Sequence, residues 1–589
     1  MTNYNLRPAS SPMMTRWAKF VSPEHVHHEY PRPQMVRKEW LTLNGLWDLS
    51  ICPKEALRPE AFDRRILVPY PVESPLSGVM ESVRETDSLW YRRTFQVPKK
   101  WDESHVLLNF GAVDWETSVY VNSKKVGDHL GGYDSFSLDI TDALKENSSG
   151  KDRHELIVRV FDPTDRGYQP GGKQVLNQRR IWYTPTSGIW QTVWIEPVNV
   201  THFSSFKCVP EVDSGTLSIY FPRSSSGNRV QILATIFDLG RKVSEATHDC
   251  SVEEQICTIV AKIPDAKLWS PDSPHLYDVK LVMISNGGVS DEVESYFGMR
   301  KISVGRGENG FNRILLNDKP LFQLGLLDQG FWPDGLYAAP TDEALRHDIE
   351  VTKRLGFNLI RKHVKVEPDR WYYWCDKLGM LVWQDMPSGD KIIDSDSLDI
   401  ERSAESAKEF ETELKAMIDC LYNHPCIVMW VAFNEGWGQW DTIRVAEWIK
   451  QYDPKRLVDS ASGWFDRGAG DVNDVHIYPG PGSPKSDRDR ALVLGEFGGL
   501  GLPIKGHVWQ SEKNWGYRSF DDRDELTSAY IRLVEELGGL VQSSGLSAAV
   551  YTQTTDVEIE VNGLMTYDRE VVKMNEELIA AANKKLVTT

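Results

Sequence analysis

The 589-residue chain contains nothing that approaches the length of a membrane-spanning helix. Among its motifs the longest uninterrupted apolar run, Cys426 to Phe433, is eight residues, where a span needs about 20. The first 20 residues hold Arg7, Arg16 and Lys19 but no apolar stretch of the kind a secretory signal needs. Neither an export signal nor a membrane anchor is therefore expected, and the default location is cytoplasmic. Cysteine is sparse too. The seven residues at 52, 208, 250, 257, 375, 420 and 426 are scattered and odd in number, with no C-x-x-C pair, which argues against a disulfide framework and a zinc ribbon. No H-E-x-x-H is present and no Cys/His ligand spacing appears, so no metal and no cofactor is expected. Positive charge is in deficit: Lys+Arg 67 against Asp+Glu 85 gives a formal charge of −18. Attraction to nucleic acid or anionic lipid is thereby disfavoured. Gly 43 and Pro 31 are ordinary for a globular chain and exclude collagenous or low-complexity architecture.

Aromatic residues, in contrast, are plentiful: Trp 21, Tyr 21 and Phe 20. Aromatic faces stack on the C–H faces of sugars and equally fill protein cores, so composition does not choose between the two. Length predicts several units at about 150 residues each. From about residue 40 to 198 short alternating runs, such as Trp90–Phe95, Val106–Phe110 and Leu156–Phe161, are broken by turn residues with no helical pattern between them. Such punctuation predicts a β-sandwich. A second strand-rich stretch from 199 to 309 carries Leu217–Phe221, Val230–Phe237, Cys257–Ile263 and Leu276–Val282, and its size suits an immunoglobulin-like sandwich.

After residue 310 buried-strand runs alternate with amphipathic helical patterns. The strands expected are Leu321–Leu326, Asn358–His363, Met380–Gln384, Val428–Asn434, Leu457–Ala461, Val475–Tyr478, Ala491–Glu496 and Ala548–Thr552. Eight strands with helical crossovers predict a C-terminal (β/α)8 TIM barrel over 310–589, whose chemistry lies at the carboxyl ends of its strands. An open doubly wound sheet would want a glycine-rich phosphate turn after its first strand, and none is there. The tract Gly305-Arg306-Gly307-Glu308-Asn309-Gly310 satisfies G-x-G-x-x-G but leads into an extended pattern, Phe311–Leu316, rather than a helix. It reads as a tight turn at the junction of sandwich and barrel.

Two carboxylates arrive as apolar strands leave the barrel interior: Glu435 after Val428–Asn434, and Glu496 after Ala491–Gly495. Strands four and seven face each other across the barrel mouth. Such a pair suits acid/base or nucleophile/acid chemistry at a glycosidic carbon: retaining if the carboxyl groups are about 5 Å apart, inverting at about 6.5–9.5 Å. Sequence spacing leaves that distance open. Asn434, just before Glu435, is placed to bind a sugar hydroxyl beside the reacting carbon.

The chain resembles glycoside hydrolase family 2, the family of β-galactosidases, β-glucuronidases and β-mannosidases. In the barrel the resemblance rests on Asn423-His424-Pro425-Cys426-Ile427 ahead of Asn434-Glu435, and on Gly495-Glu496-Phe497-Gly498-Gly499. Tyr30-Pro31-Arg32-Pro33-Gln34, Leu43-Asn44-Gly45-Leu46-Trp47, Gly131-Gly132-Tyr133 and Tyr183-Thr184-Pro185-Thr186-Ser187-Gly188-Ile189-Trp190-Gln191 resemble its sugar-binding jelly roll. Leu268-Trp269-Ser270-Pro271 and Phe297-Gly298-Met299-Arg300 resemble its immunoglobulin-like domain. The resemblance implies a multidomain chain: a jelly-roll β-sandwich over 1–198, an immunoglobulin-like β-sandwich over 199–309, and the catalytic barrel over 310–589. It implies a retaining exo-β-glycosidase, with Glu435 as acid/base and Glu496 as nucleophile. By the same resemblance Asn434 holds the 2-hydroxyl, Arg361 keeps the nucleophile ionised and Tyr478 donates to it. His363, Asp385, His476, Trp383 and Trp509 are further candidates for the sugar pocket. The expected partner is a carbohydrate, a β-galactoside first, and pairing of relatives through their sandwich domains implies a homo-oligomer. Leu326-Leu327-Asp328-Gln329 and Lys362-His363-Val364-Lys365 depart from the large β-galactosidases. A furanoside such as β-galactofuranose therefore stays open beside the pyranosides, as do a transglycosidase and a non-catalytic carbohydrate-binding protein.

Overall fold

The structure is a computed structural model that describes residues 12–146, 153–222, 229–393 and 398–588. Strands of the first sandwich alternate inward apolar with outward polar residues and so close two antiparallel sheets on one core. One sheet runs in the order 41–42, 193–198, 105–110, 136–139, and the other 64–68, 45–53, 87–95, 154–161, 116–121, 124–129. Between them lie Leu49, Ile66, Tyr91, Leu108, Val119, Val158 and Ile195. The second sandwich packs 207–211, 216–222 and 256–262 against 241–250, 230–238, 277–285 and 288–297. Here the sequence expectation is corrected: Cys250 and Cys257 form a disulfide across the turn joining two strands. A single short clip of this kind is not a framework, and scattered spacing gave no hint of it. The glycine-rich tract lies in a hairpin between strands 302–306 and 312–316, closed by the Gly310 amide donating to the Gly307 carbonyl and the Gly307 amide to that of Phe311.

Eight parallel strands then form the barrel: β1 Gln323–Asp328, β2 Leu359–Lys362, β3 Leu381–Asp385, β4 Ile427–Val431, β5 Leu457–Asp459, β6 Val472–Ile477, β7 Ala491–Gly498 and β8 Leu546–Thr552. Nearly every strand residue is buried, because one face fills the barrel and the other meets helices. The helices are α1 Asp342–Arg354, α2 Asp369–Leu378, α3 Ala404–Leu421, α4 Thr442–Tyr452, α5 Arg523–Ser543 and α6 Glu576–Val587. Their starts are written locally: Thr341, Ser403, Asp522 and Asn575 each accept a first-turn amide on the side chain. On α3, Phe410, Leu414, Met417, Ile418 and Leu421 make one buried stripe.

The barrel is nearly closed. Among the described residues β5 and β6 share no ladder, and no helix joins β5 to β6 or β6 to β7. Instead, the segment after β4 pairs with the segment after β5: the Ser462 amide donates to the Phe433 carbonyl and the Glu435 amide to the Ser462 carbonyl, both at 2.9 Å. That pairing holds Glu435 four residues beyond β4, in the left-handed region at φ 53°. A non-glycine residue held there signals local strain of about 1–3 kcal/mol.

Candidate active site

Arg361 is the anchor of the mouth. Fully buried on β2, it forks onto Asp385 of β3 at 3.0 and 2.9 Å. It also donates to Asn434 Oδ1 at 2.8 Å, the Gly495 carbonyl at 3.2 Å, His476 Nε2 at 3.3 Å and Glu496 Oε1 at 3.4 Å. A planar guanidinium with five donors satisfies this set, whereas a lysine could not. Asn434 spends its oxygen on Arg361, and its amide nitrogen is buried without a hydrogen-bond partner. A donor left open at the floor of the mouth suits a ligand hydroxyl.

Glu496 sits within β7 and is 4% exposed. Tyr478, one residue past β6, donates to its Oε2 at 2.5 Å and meets Thr552 Oγ1 at 2.8 Å. Burial alone would raise the Glu496 pKa, but His476, His363, Arg361 and Lys173 together bring it down to about 2. The carboxylate is thereby held ionised. His476 reaches both acids: Nδ1 lies 2.9 Å from Glu435 Oε1 and 3.6 Å from Glu496 Oε1. Burial disfavours the imidazolium, yet Glu496 and Glu435 outweigh it and raise the His476 pKa. One oxygen of Glu435, one of Glu496 and His476 Nδ1 all lie within 4.8 Å of one another.

His363 binds Asp385 Oδ2 at 2.9 Å through Nδ1, and burial followed by the nearby Lys173 charge pushes its pKa well below the ordinary value. Asp385 thus works by holding Arg361 and His363. Trp383 takes a different place from the one expected. It has no exposed surface, and its indole donates to Gln323 Oε1 on β1 at 2.7 Å, across the barrel interior. Period-two alternation puts Trp383 on the inward face two residues below Asp385, so it fills the interior instead of walling the mouth. Trp509 lies on the excursion after β7, half-buried against the main apolar cluster.

Several residues of the mouth were not anticipated. Ser462 and Asp474 stand behind His476, and Tyr517 stacks on Tyr478 with centroids 3.8 Å apart. Asp474 and His476 share one face of β6 and Tyr478 continues that alternation just past its end; Ser462 follows β5 in a short polar run. Lys173 had no such signal, because it comes from the first sandwich. Gly171 and Gly172 donate their amides to the Ser388 carbonyl at 2.8 and 2.9 Å, Tyr183 binds Glu560, and the Thr184 amide donates to Glu558 Oε1 at 2.8 Å. These contacts carry Lys173 over the barrel mouth, 5.7 Å from the Trp437 ring and 5.8 Å from the Tyr183 ring. It is 5% exposed, and its ammonium has no ion pair or hydrogen bond among the described residues.

Among the described residues, two groups of side chains have spacing a cation could span. In His248, Cys250 and Glu254 the cysteine is committed to its disulfide. In Glu435, His476 and Glu496 the Arg361 guanidinium stands 3.3–3.4 Å from two of the three, a cation already in place. Neither donor set fits a resident metal.

Two sandwiches ahead of a barrel whose mouth gathers two acids, an arginine and a tyrosine define a chain of the glycosidase class. Family descriptions match in sequence: "Glycosyl hydrolases family 2, sugar binding domain" over 65–195, "Glycosyl hydrolases family 2" over 201–300 and "Glycosyl hydrolases family 2, TIM barrel domain" over 312–478. The chain belongs to glycoside hydrolase family 2. A β-galactosidase of Thermoanaerobacter pseudethanolicus is 28% identical over 353 residues, which cover 59% of this chain and 44% of that protein. The chain spans less than half the length of the first curated relatives it matches. A β-D-glucuronidase structure from Dictyoglomus thermophilum aligns over 95% of this chain and 99% of its own, with TM-score 0.73 and 19% identity. A β-galacturonidase from Eisenbergiella tayi aligns over 95% and 99%, with TM-score 0.70 and 20% identity. Both structures share the fold.

Proposed function

We propose that this chain is a retaining exo-β-glycosidase that hydrolyses a terminal β-linked sugar. The reading is carried by the proximity of Glu435 and Glu496, whose nearest oxygens lie within 4.8 Å, the spacing of a double displacement; an inverting pair needs about 6.5–9.5 Å. Glu496 Oε attacks the anomeric carbon as the bond to the leaving oxygen breaks, and protonated Glu435 gives its proton to that oxygen. Glu435, now a carboxylate, takes a proton from water as the water oxygen displaces Glu496, restoring both groups. Arg361 and Tyr478 hold Glu496 ionised and aimed, and the open Asn434 amide takes the hydroxyl next to the reacting carbon. Both acids are less than a tenth exposed at the base of the mouth, which favours a chain end over an internal linkage.

A β-galactoside is the first substrate reading. Lys173 favours a second: a buried lysine beside Glu496 and Glu560 whose ammonium makes no direct ion pair among the described residues suits a sugar carrying a carboxylate, in line with the uronidase relatives. Nitrophenol release from aryl β-galactoside, glucuronide, galacturonide, mannoside, glucoside and β-galactofuranoside tests both, with Glu496→Ala beside the wild type. Turnover of one member, lost by about 10³-fold or more in the variant, is expected. Full activity in Glu496→Ala overturns the reading. Product analysis with added acceptor separates hydrolysis from transglycosylation.

A further inference from the structure

Of the 21 tryptophans, all among the described residues, Trp464 is the one exposed, at 58%; the rest are buried or half-buried. A lone exposed aromatic is common on protein surfaces. Trp464 differs in being fixed, and in where it is fixed. Its indole N–H donates to the His476 carbonyl at 3.2 Å, and its ring meets the His476 ring edge to face with centroids 5.9 Å apart. The loop that carries it, 462–465 after β5, is locked onto the turn after β4. The Glu435 amide donates to the Ser462 carbonyl at 2.9 Å. A Cβ on Gly463 would lie 3.4 Å from Glu435 Cγ, and one on Gly436 would fall 2.7 Å from the Phe465 ring. On the other flank of the same turn Ile392 bridges to Trp437 through the backbone and is 52% exposed. The Glu435 side of the mouth is thus edged by apolar side chains left open to water, with the indole held rigidly beside the acid.

We propose that Trp464 is the platform for the leaving group: a ring attached through its oxygen to the reacting sugar stacks on the open indole while that oxygen lies at Glu435. The proposal rests on the assignment of Glu435 as the acid made above. A general acid must reach the glycosidic oxygen. Whatever that oxygen carries therefore lies on the Glu435 side, and the transferred sugar lies against Glu496. An indole face presents a broad, flat apolar surface of negative potential, which suits the C–H face of a sugar or an aryl ring. A methyl group offers it too little area. The substrate class is thereby narrowed to glycosides whose leaving group is itself a ring, either a second sugar or an aryl alcohol. Stacking acts on binding and on the first half of the reaction. The second half, water displacing Glu496 from the anomeric carbon, takes place after the ring has left. Trp464 is accordingly a specificity residue, and its influence ends with departure of the leaving group.

The test has two arms. The first compares four substrates of the sugar that the aryl panel identifies: a β-linked disaccharide, the phenyl glycoside, the methyl glycoside and the glycosyl fluoride. Trp464→Ala should lower kcat/KM about tenfold on the disaccharide and the phenyl glycoside, and under threefold on the other two, which have no ring to stack. Trp464→Phe, which keeps an aromatic face, should stay within about threefold on all four. A loss confined to the disaccharide assigns the platform to a sugar, and one confined to the phenyl glycoside assigns it to an aryl group. Equal losses on all four overturn the proposal, since they report only the lost bond to the His476 carbonyl. Undiminished turnover of both ring-bearing substrates overturns it as well. The second arm needs no turnover. In Glu496→Ala protein the Trp464 indole N–H resonance, assigned by its loss in Trp464→Phe, is followed while phenyl and methyl glycosides of the panel sugars are added. A shift with a phenyl glycoside and none with its methyl counterpart is expected; no shift with any phenyl glycoside overturns the platform. If the wild type cleaves no glycoside, the proposed function fails while the NMR arm still decides the role of Trp464.

Discussion

At the scale of single residues the electrostatics of Glu496 set the first prediction. Its depressed pKa, about 2, keeps this carboxylate, the proposed nucleophile, ionised across the pH range in which carboxylates ordinarily titrate, so we expect that it does not set the acid limb of activity. The sign for stability follows. The charged form is favoured in the folded state, so this contribution is present above the ordinary value of 4.5 and lost as pH falls toward 2. Arg361→Gln removes one of the cations responsible. We expect kcat/KM to fall by about 10²–10³-fold and an acid limb to move up into the carboxylate range, read from a pH-rate profile. Arg361→Lys should recover little, since a single ammonium cannot fork onto Asp385 while reaching Asn434 and Glu496. Glu435 and Glu496 stood out in the sequence because each follows an apolar strand run, whereas Arg361 and Tyr478 were pointed to only by the family resemblance; the fold brings all four to one mouth. Trp383 and Asp385 occupy the same strand face, and nothing in the alternation tells how far up the barrel each lies. One became interior packing, the other a support for Arg361.

At the scale of elements the barrel was legible and its irregularity was not. All eight strands overlap the expected apolar runs, because strands buried on both faces read as short continuous apolar stretches whereas the helices between them carry a 3.6-residue apolar period. The missing ladder between β5 and β6 leaves no mark of that kind. It is bridged by side chains, with Ser462 tied to both Asp474 and His476. Gly495→Ala should strike this seam, since its Cβ would meet Asp474 Oδ2 at 2.2 Å. Expected is a destabilisation of about 1–3 kcal/mol by denaturant titration, with activity reduced even where the protein remains folded.

At the scale of the whole molecule the sandwich and barrel meet over acids. Glu409 and Glu413 on α3 face Asp134 and Asp114 of the first sandwich. Burial first, then Asp134 and its neighbours, pushes the Glu413 pKa well above the ordinary value. The folded state thus binds that proton more tightly than the unfolded chain, and its contribution to stability is lost as pH rises. Glu413→Gln should raise the melting temperature at pH 8 more than at pH 5, by the equivalent of about 1–2 kcal/mol, in calorimetry. Removal of the Lys173 charge by Lys173→Met should cost aryl uronides about 10²-fold in kcat/KM and neutral glycosides under threefold, if the second substrate reading holds.

The clasp that carries Lys173 also has a bearing on biosynthesis. Its sandwich half, around Tyr183 and Thr184, leaves the ribosome early, whereas Glu558 and Glu560 follow the last barrel strand. The sandwich can mature alone during synthesis, but the clasp waits for the barrel through the segment after β8. If the proposed activity needs the clasp, its onset after translation would mark the moment when the first sandwich and the segment after β8 find each other.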